Sequence, residues 1–380
     1  MAQAEATTER AGRVSTLELF FDLVFVFTIT QLTALLAAEP DAVGLAKVVV
    51  LLLVIWWMYD GYAWLTNALA LDVVGHRLLL IGGMGGFLLM ALAIPTLFEG
   101  GGVAFGLGYL AVVVLHTALY IRETSAAEAA AIRGIVPYNV AAALLLVAAG
   151  IADGAAQWVL VVLAAVLVWS VPAIVSLEGF EITASHFVER HALVVIVALG
   201  ESVVVLGVGA EGAEVGLELA LIALLGLALS AALWWTYFGE EQSVEHALLS
   251  APREARPRLA IMFSYLHVFL LLGIVLVAAG LKKAIAHPFD PLDDAVAVLL
   301  AVGTAVFVAA DTAFLRVLRI PHGSARALAA TAALATIPLG LAVAAAAQVA
   351  ALVVVVAAAA AAGSRRRTSD ESRARDPSYG

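Results

Sequence analysis

The run Leu17-Glu18-Leu19-Phe20-Phe21-Asp22-Leu23-Val24-Phe25-Val26-Phe27-Thr28-Ile29-Thr30-Gln31-Leu32 decides the fold. With its continuation to Ala38 it reads as an apolar helix long enough to cross a bilayer, and it carries two carboxylates in its first turns. A charged group in hydrocarbon is unfavourable by at least a few kcal/mol, so an acid held at membrane depth needs a partner, a proton or a water-filled cavity. Glu18 and Asp22 are four residues apart and share a face, which Ile29 and Thr33 continue. At 1.5 Å per residue Asp22 sits about 7 Å inside the span, too deep for so short a side chain to snorkel. Two readings stand side by side. Asp22 either positions the helix by pairing with an arginine from a neighbouring span, or it serves as a proton or cation site.

Composition extends this reading to the whole chain. With 63% hydrophobic and 13% charged residues and a mean hydropathy of +1.04, the sequence lies far from soluble norms. At about 20 residues per span, the 380 residues have room for about ten to thirteen helices and no long soluble domain. Cysteine is absent, which removes disulfides, thiolate metal sites and thiol nucleophiles together. Residues 1–16 lack the basic start, apolar stretch and small-residue cleavage site of a signal peptide, so the first helix is expected to act as its own insertion signal. The net charge of −10 is carried largely by loops.

Apolar runs of spanning length fall at 17–38, 44–66, 77–98, 103–121, 135–152, 156–176, 187–209, 216–238, 259–281, 294–314, 326–344 and 346–363. The last two form one Ala/Val-rich stretch interrupted by Pro338, Gly340 and Gln348, so basic residues must decide the count. With twelve spans and both termini cytoplasmic, 17 of the 20 lysines and arginines fall inside, and only Lys47, Lys282 and Lys283 fall outside. Eleven spans would give a much weaker bias. The expected fold is therefore an all-α, polytopic membrane helix bundle of about twelve transmembrane helices. The pattern Trp56-Trp57-Met58-Tyr59-Asp60-Gly61 returns as Trp234-Trp235-Thr236-Tyr237-Phe238-Gly239, 178 residues later. Thr117-Ala118 with Arg122 likewise echoes Thr312-Ala313 with Arg316. These echoes predict two parallel six-helix repeats. The expected organisation is a cytoplasmic segment over 1–16, repeats over 17–176 and 177–362, and a disordered basic cytoplasmic tail over 363–380. Arg365-Arg366-Arg367 in that tail suits anionic headgroups. The polar connection 239–258 reads as a solvated loop.

Further candidates follow along the chain. Glu201 is the deepest acid, about 16 Å along its helix from Arg190 on the same face. Gly200 beside it is expected to let a neighbouring helix approach closely. His116, His267 and Asp311 could line one cavity with Asp22 and Glu201 if their faces converge, or each could be a satisfied interior polar group. The tryptophan pairs read as interfacial anchors, and Asp60 and Asn67 as caps. Gly207-Val208-Gly209-Ala210-Glu211-Gly212 matches GxGxxG but follows a membrane helix without a βαβ context. No Walker loop, HExxH or defensible Ser/His/Asp set exists, so no enzyme activity, cofactor or metal is expected. The basic tail is too small for nucleic-acid binding. The expected partners are membrane lipids and a small ion or proton, and a homo-oligomer is compatible with the sequence.

Two stretches carry a resemblance. Glu18-Leu19-Phe20-Phe21-Asp22-Leu23-Val24-Phe25-Val26-Phe27 with Ile29-Thr30-Gln31-Leu32, and His186-x-x-Glu189-Arg190 with Leu199-Gly200-Glu201-Ser202, resemble the two signature segments of the bacterial low temperature requirement A (LtrA) family. The resemblance implies a multi-pass protein of the bacterial plasma membrane, linked by the family name to growth in the cold. The first helix alone is similar to the RxxxFSD helix of endolysosomal-type potassium channels, with Thr16 in place of the arginine and Phe21 in place of the serine. The resulting expectation is ion- or proton-coupled transport, or ion conduction, between two halves. The alternative is a non-transporting protein that supports envelope function in the cold.

Overall fold

The computed structural model describes residues 14–69, 73–176, 180, 182–209, 216–252, 254–321 and 324–375, with side chains described as far as Gly363. Among these residues every regular element is helical. In chain order they are α1 (Thr16–Ala38), α2 (Ala42–Ala68), α3 (Val74–Ala93, continued by a 3-10 turn Ile94–Glu99), α4 (Val103–Glu123), α5 (Ala126–Ala149), α6 (Gly154–Ile174) and α7 (Ala184–Gly209). There follow α8 (Leu217–Phe238), α9 (Glu241–Ser250), α10 (Arg256–Ala284), α11 (Asp294–Val317), α12 (Ser324–Leu334), α13 (Ile337–Ala342) and α14 (Ala345–Arg375). They provide 12 segments long and apolar enough to cross a membrane. The N-terminal segment through residue 13, residues 210–215 of the GxGxxG stretch and the tail from 376 lie outside the described residues.

Local chemistry sets the helix starts. Ser15 caps α1 through a capping box: its hydroxyl accepts from the Glu18 N–H, and the Glu18 carboxylate accepts from the Ser15 N–H at 2.8 Å. Ser125 and Glu128 repeat the device at α5. Asp41 caps α2 by accepting from the N–H groups of Val43 and Gly44.

Two elements differ from expectation, and a third, the break between the last two spans, falls where the apolar runs 326–344 and 346–363 put it. The connection 239–258 contains α9, whose Val244 and Leu248, four residues apart, are both buried and give it an anchored face. The break between the last two spans comes at Val343–Ala344. There the Ala345 and Ala346 N–H groups donate to the carbonyls of Asp290 and Pro288, and Leu292 N–H donates to Gly340 O. The final helix runs on to Arg375, past the point where a disordered tail was expected. A helix already nucleated over a long Ala/Val run extends through Ser, Arg and Glu with no further nucleation penalty.

The chain divides into two compact units, one of Met1–Val197 with Leu248–Ser264, the other of Ala198–Ala247 with Tyr265–Gly380. In the first, Phe21 and Phe25 of α1 interlock with Trp56, Tyr59 and Tyr62 of α2 and Phe87 of α3, at centroid separations of 4.1 to 6.3 Å. Helices α3 and α4 meet backbone to backbone: a Cβ on Gly108 would lie 2.8 Å from Gly86 O, and one on Gly86 would lie 2.9 Å from Gly108 O. In the second unit, taken by itself, α10 and α11 meet in the same way. A Cβ on Gly273 would lie 2.8 Å from Gly303 O, and one on Gly303 would lie 2.9 Å from Gly273 O. Also in this unit, α8 and α12 pack against α14, and Gln348 of α14 donates to Ala297 O of α11.

A buried ionic network in the first unit

Glu18 stands at the third position of α1 because the capping box puts it there. One of its oxygens closes the cap, and the other turns inward. That inner Oε1 lies 3.0 Å from His186 Nε2 and 3.7 Å from Arg190 Nε, neither in hydrogen-bond alignment. One turn on, Asp22 accepts from Arg190 Nη1 at 2.6 Å and from the Tyr59 hydroxyl at 2.6 Å. Arg190 Nη1 also donates to the Glu18 carbonyl at 3.1 Å. All three charged groups are sealed, with Glu18 and Arg190 1% exposed and Asp22 0%. Asp22 and Arg190 each sit six residues into their helices, about 9 Å along the axis.

The His186 ring is oriented by Asn67. The Asn67 amide is oriented by Thr183, whose N–H donates to Asn67 Oδ1 and whose carbonyl accepts from Asn67 Nδ2. Asn67 Nδ2 then also faces His186 Nδ1 at 3.4 Å, which makes Nδ1 the acceptor and leaves the ring hydrogen on Nε2, toward Glu18. A second histidine follows on α7. His191 Nδ1 lies 2.9 Å from Phe187 O, and its Nε2 lies 3.1 Å from Asp60 Oδ1. The Ser264 hydroxyl donates to the same Asp60 oxygen at 2.7 Å. Trp56 completes the wall by donating from Nε1 to Ser264 O at 2.9 Å.

The structure corrects several expectations here. Asp60 and Asn67 are not helix caps: Asp60 lies eight residues, about 12 Å, from the end of α2, and Asn67 ties α2 to the segment before α7. Trp56 is buried rather than interfacial, and Trp57 donates to Asn139 of α5. Both are more than ten residues short of the end of α2, whose helix is longer than its apolar run suggested. Trp234 and Trp235, at 39% and 58% exposed, do lie near the end of α8. His116 Nε2 lies 2.9 Å from Gly61 O, its Nδ1 has no hydrogen-bond partner among the described residues, and its ring packs on Tyr62, which stacks on Phe21. A Cβ on Gly200 would meet nothing within 4 Å among the described residues, so this glycine does not mediate the close approach expected of it.

The other expected residues belong to the second unit. Asp311 accepts from Arg326 Nη1 at 2.6 Å, and Arg326 Nη2 donates to Glu240 at 3.1 Å and to Thr236 O at 3.2 Å. His267 Nε2 meets the Tyr237 hydroxyl at 2.7 Å. Glu201 is buried, as is its neighbour Ser202. Sequence reading missed His186, His191, Asp60, Tyr59, Ser264, Glu240 and Arg326 as members of polar groups. The available signal was His186-x-x-x-Arg190-His191, three ionisable residues inside one apolar span.

Comparison with known proteins follows this geometry. The family model described as "Bacterial low temperature requirement A protein (LtrA)" matches residues 13–361. A curated protein of uncharacterised function from Rhizobium meliloti is 28% identical over 293 residues, covering 72% of this chain and 70% of the relative.

Proposed function

We propose, starting from the fact that the chain belongs to the bacterial low temperature requirement A (LtrA) family, that it is a plasma-membrane protein that moves protons across the bilayer, or a small ion or solute coupled to them. One observation carries this reading. Two histidine–carboxylate pairs, His186–Glu18 and His191–Asp60, flank Arg190 on one apolar helix. Ionisable groups in hydrocarbon are expensive to keep, and chains of histidine and carboxylate are the usual means of passing protons through a membrane protein. The placement of basic residues supports cytoplasmic termini. The reciprocal glycine contact found in each unit supports an internal duplication. Gly108 and Gly303 are 195 positions apart, the same offset as Thr117 and Thr312.

The test is reconstitution into sealed vesicles that carry an internal pH indicator. We expect an imposed pH gradient to decay faster than in protein-free vesicles. A decay no faster than that of empty vesicles, with or without added monovalent cations, defeats the reading. A second reading is favoured by the closure of Asp22, which Arg190 and Tyr59 occupy completely. Under it the acids are structural, and the protein supports envelope function in the cold through lipid or partner contacts. Asp22→Asn and Glu201→Gln would then lower thermal stability while no flux is seen in any variant.

A further inference from the structure

We infer that Asp60, His191 and Ser264 form a proton-binding site, a ring of three side chains from α2, α7 and α10 that holds one exchangeable proton between the His191 Nε2 and Asp60 Oδ1 atoms. The inference deepens the transport reading and rests on it for its purpose, but its geometry is separate from the Arg190 pair.

The argument is a hydrogen inventory. Phe187 O can only accept, so His191 Nδ1, 2.9 Å away, carries a hydrogen. The single Ser264 hydroxyl hydrogen is committed to Asp60 Oδ1, because two oxygens 2.7 Å apart require a hydrogen between them. His191 Nε2 lies 3.1 Å from that same oxygen and 3.3 Å from Ser264 Oγ. A neutral imidazole with its one hydrogen on Nδ1 would turn a lone pair toward a carboxylate lone pair at 3.1 Å. One added proton converts that repulsion into a charge-assisted bond, with Ser264 Oγ as a second acceptor for Nε2–H. The gap admits a hydrogen and nothing larger, so the ligand is a proton rather than a metal cation. His186, five residues earlier, is the internal contrast: its Nδ1 faces an amide nitrogen rather than a backbone carbonyl.

Two further titratable groups lie near the ring among the described residues. Arg190, the preceding residue of α7, is bonded to Asp22. Tyr120 of α4 is within electrostatic reach of Asp60. The rings of Trp56, Phe187 and Phe263 also face the imidazole. His191 itself is 0% exposed, whereas the Asp60 side chain keeps 15% of its surface open, so the carboxyl edge is the more accessible side of the pair.

The test uses the full chain in lipid nanodiscs with 15N-labelled histidine, read by solid-state NMR together with infrared spectroscopy. We expect either an imidazolium with two protonated nitrogens, assigned to His191 by its loss in His191→Gln, or a protonated carboxyl band lost in Asp60→Asn. In Asp60→Asn any imidazolium signal should revert to a neutral tautomer, and Ser264→Ala should shift the signal without abolishing it. A wild-type spectrum with His191 neutral and Asp60 ionised overturns the inference, and needs no variant to fold. Vesicle flux is a separate arm. Absence of flux with the proton signature present defeats the transport reading and leaves the site standing. Flux unchanged in Asp60→Asn, once the signature is lost, overturns the site's assigned role.

Discussion

Replacing Arg190 by methionine tests the most heavily committed side chain in the first unit. The substitution keeps an unbranched stem of similar bulk and removes the guanidinium that contacts Glu18 and Asp22. Both carboxylates then stay buried, at 1% and 0% exposed, and Asp22 keeps only the Tyr59 hydroxyl. Breaking a buried pair from one side is destabilising by about 3–5 kcal/mol, because the surviving charge has lost its partner and cannot reach water. Asp22→Asn should be milder. Arg190 can still donate to the amide oxygen and the amide NH2 can donate to the Tyr59 hydroxyl, so the loss is the difference between charged and neutral bonding, about 1 to 2 kcal/mol. The double variant Arg190→Met with Asp22→Asn should be more stable than Arg190→Met alone, since it removes one of the stranded charges. Near-ultraviolet circular dichroism during thermal unfolding in detergent would rank the four proteins. If Arg190→Met lies within about 1 kcal/mol of wild type, or if adding Asp22→Asn makes it worse, the ionic network does not hold α1, α2 and α7 together as argued.

Other outcomes follow from the same structure. Arg326→Met removes the guanidinium bonded to the buried Asp311 in the second unit and should be destabilising by about 3–5 kcal/mol in the same assay. Gly108→Ala and Gly303→Ala each force a methyl against a facing backbone carbonyl and should be destabilising by about 1–3 kcal/mol, whereas Gly200→Ala, with nothing near its Cβ, should be close to neutral in the same unfolding series. Trp56→Phe removes a buried donor from Ser264 O and should lower stability by about 1 kcal/mol, while Trp235→Phe, half exposed, should leave unfolding unchanged. Ser15→Ala removes the α1 cap and should be destabilising by about 1 kcal/mol, read as accelerated hydrogen exchange over the first turn of α1.

Asp22 shows how far a single sequence carries. Its depth and need for a partner were legible, because burial of an acid in hydrocarbon has few solutions and one of them is a neighbouring arginine. Which arginine was not legible, since Arg190 is 168 residues away and helix packing brings the two together. Asp60 was misread for a related reason. It stands beside Gly61 near the expected end of an apolar run, where a cap is the simplest account, and only the continuation of α2 to Ala68 puts it opposite His191. The tail beyond Gly363 was misread because composition describes a solvated chain and ignores the helix already propagating into it.

The sequence by itself determined the membrane class, the twelve apolar spans and the signature segments, because the hydrophobic effect and helix geometry act on short stretches and leave their period in the residues. The tertiary structure alone decided which polar groups meet. A hydrogen bond or ion pair between helices depends on rotation and depth to within an ångström or two, and no local pattern records either one. The closure of Asp22 by Arg190 and Tyr59, and the meeting of Asp60, His191 and Ser264, are both products of that packing.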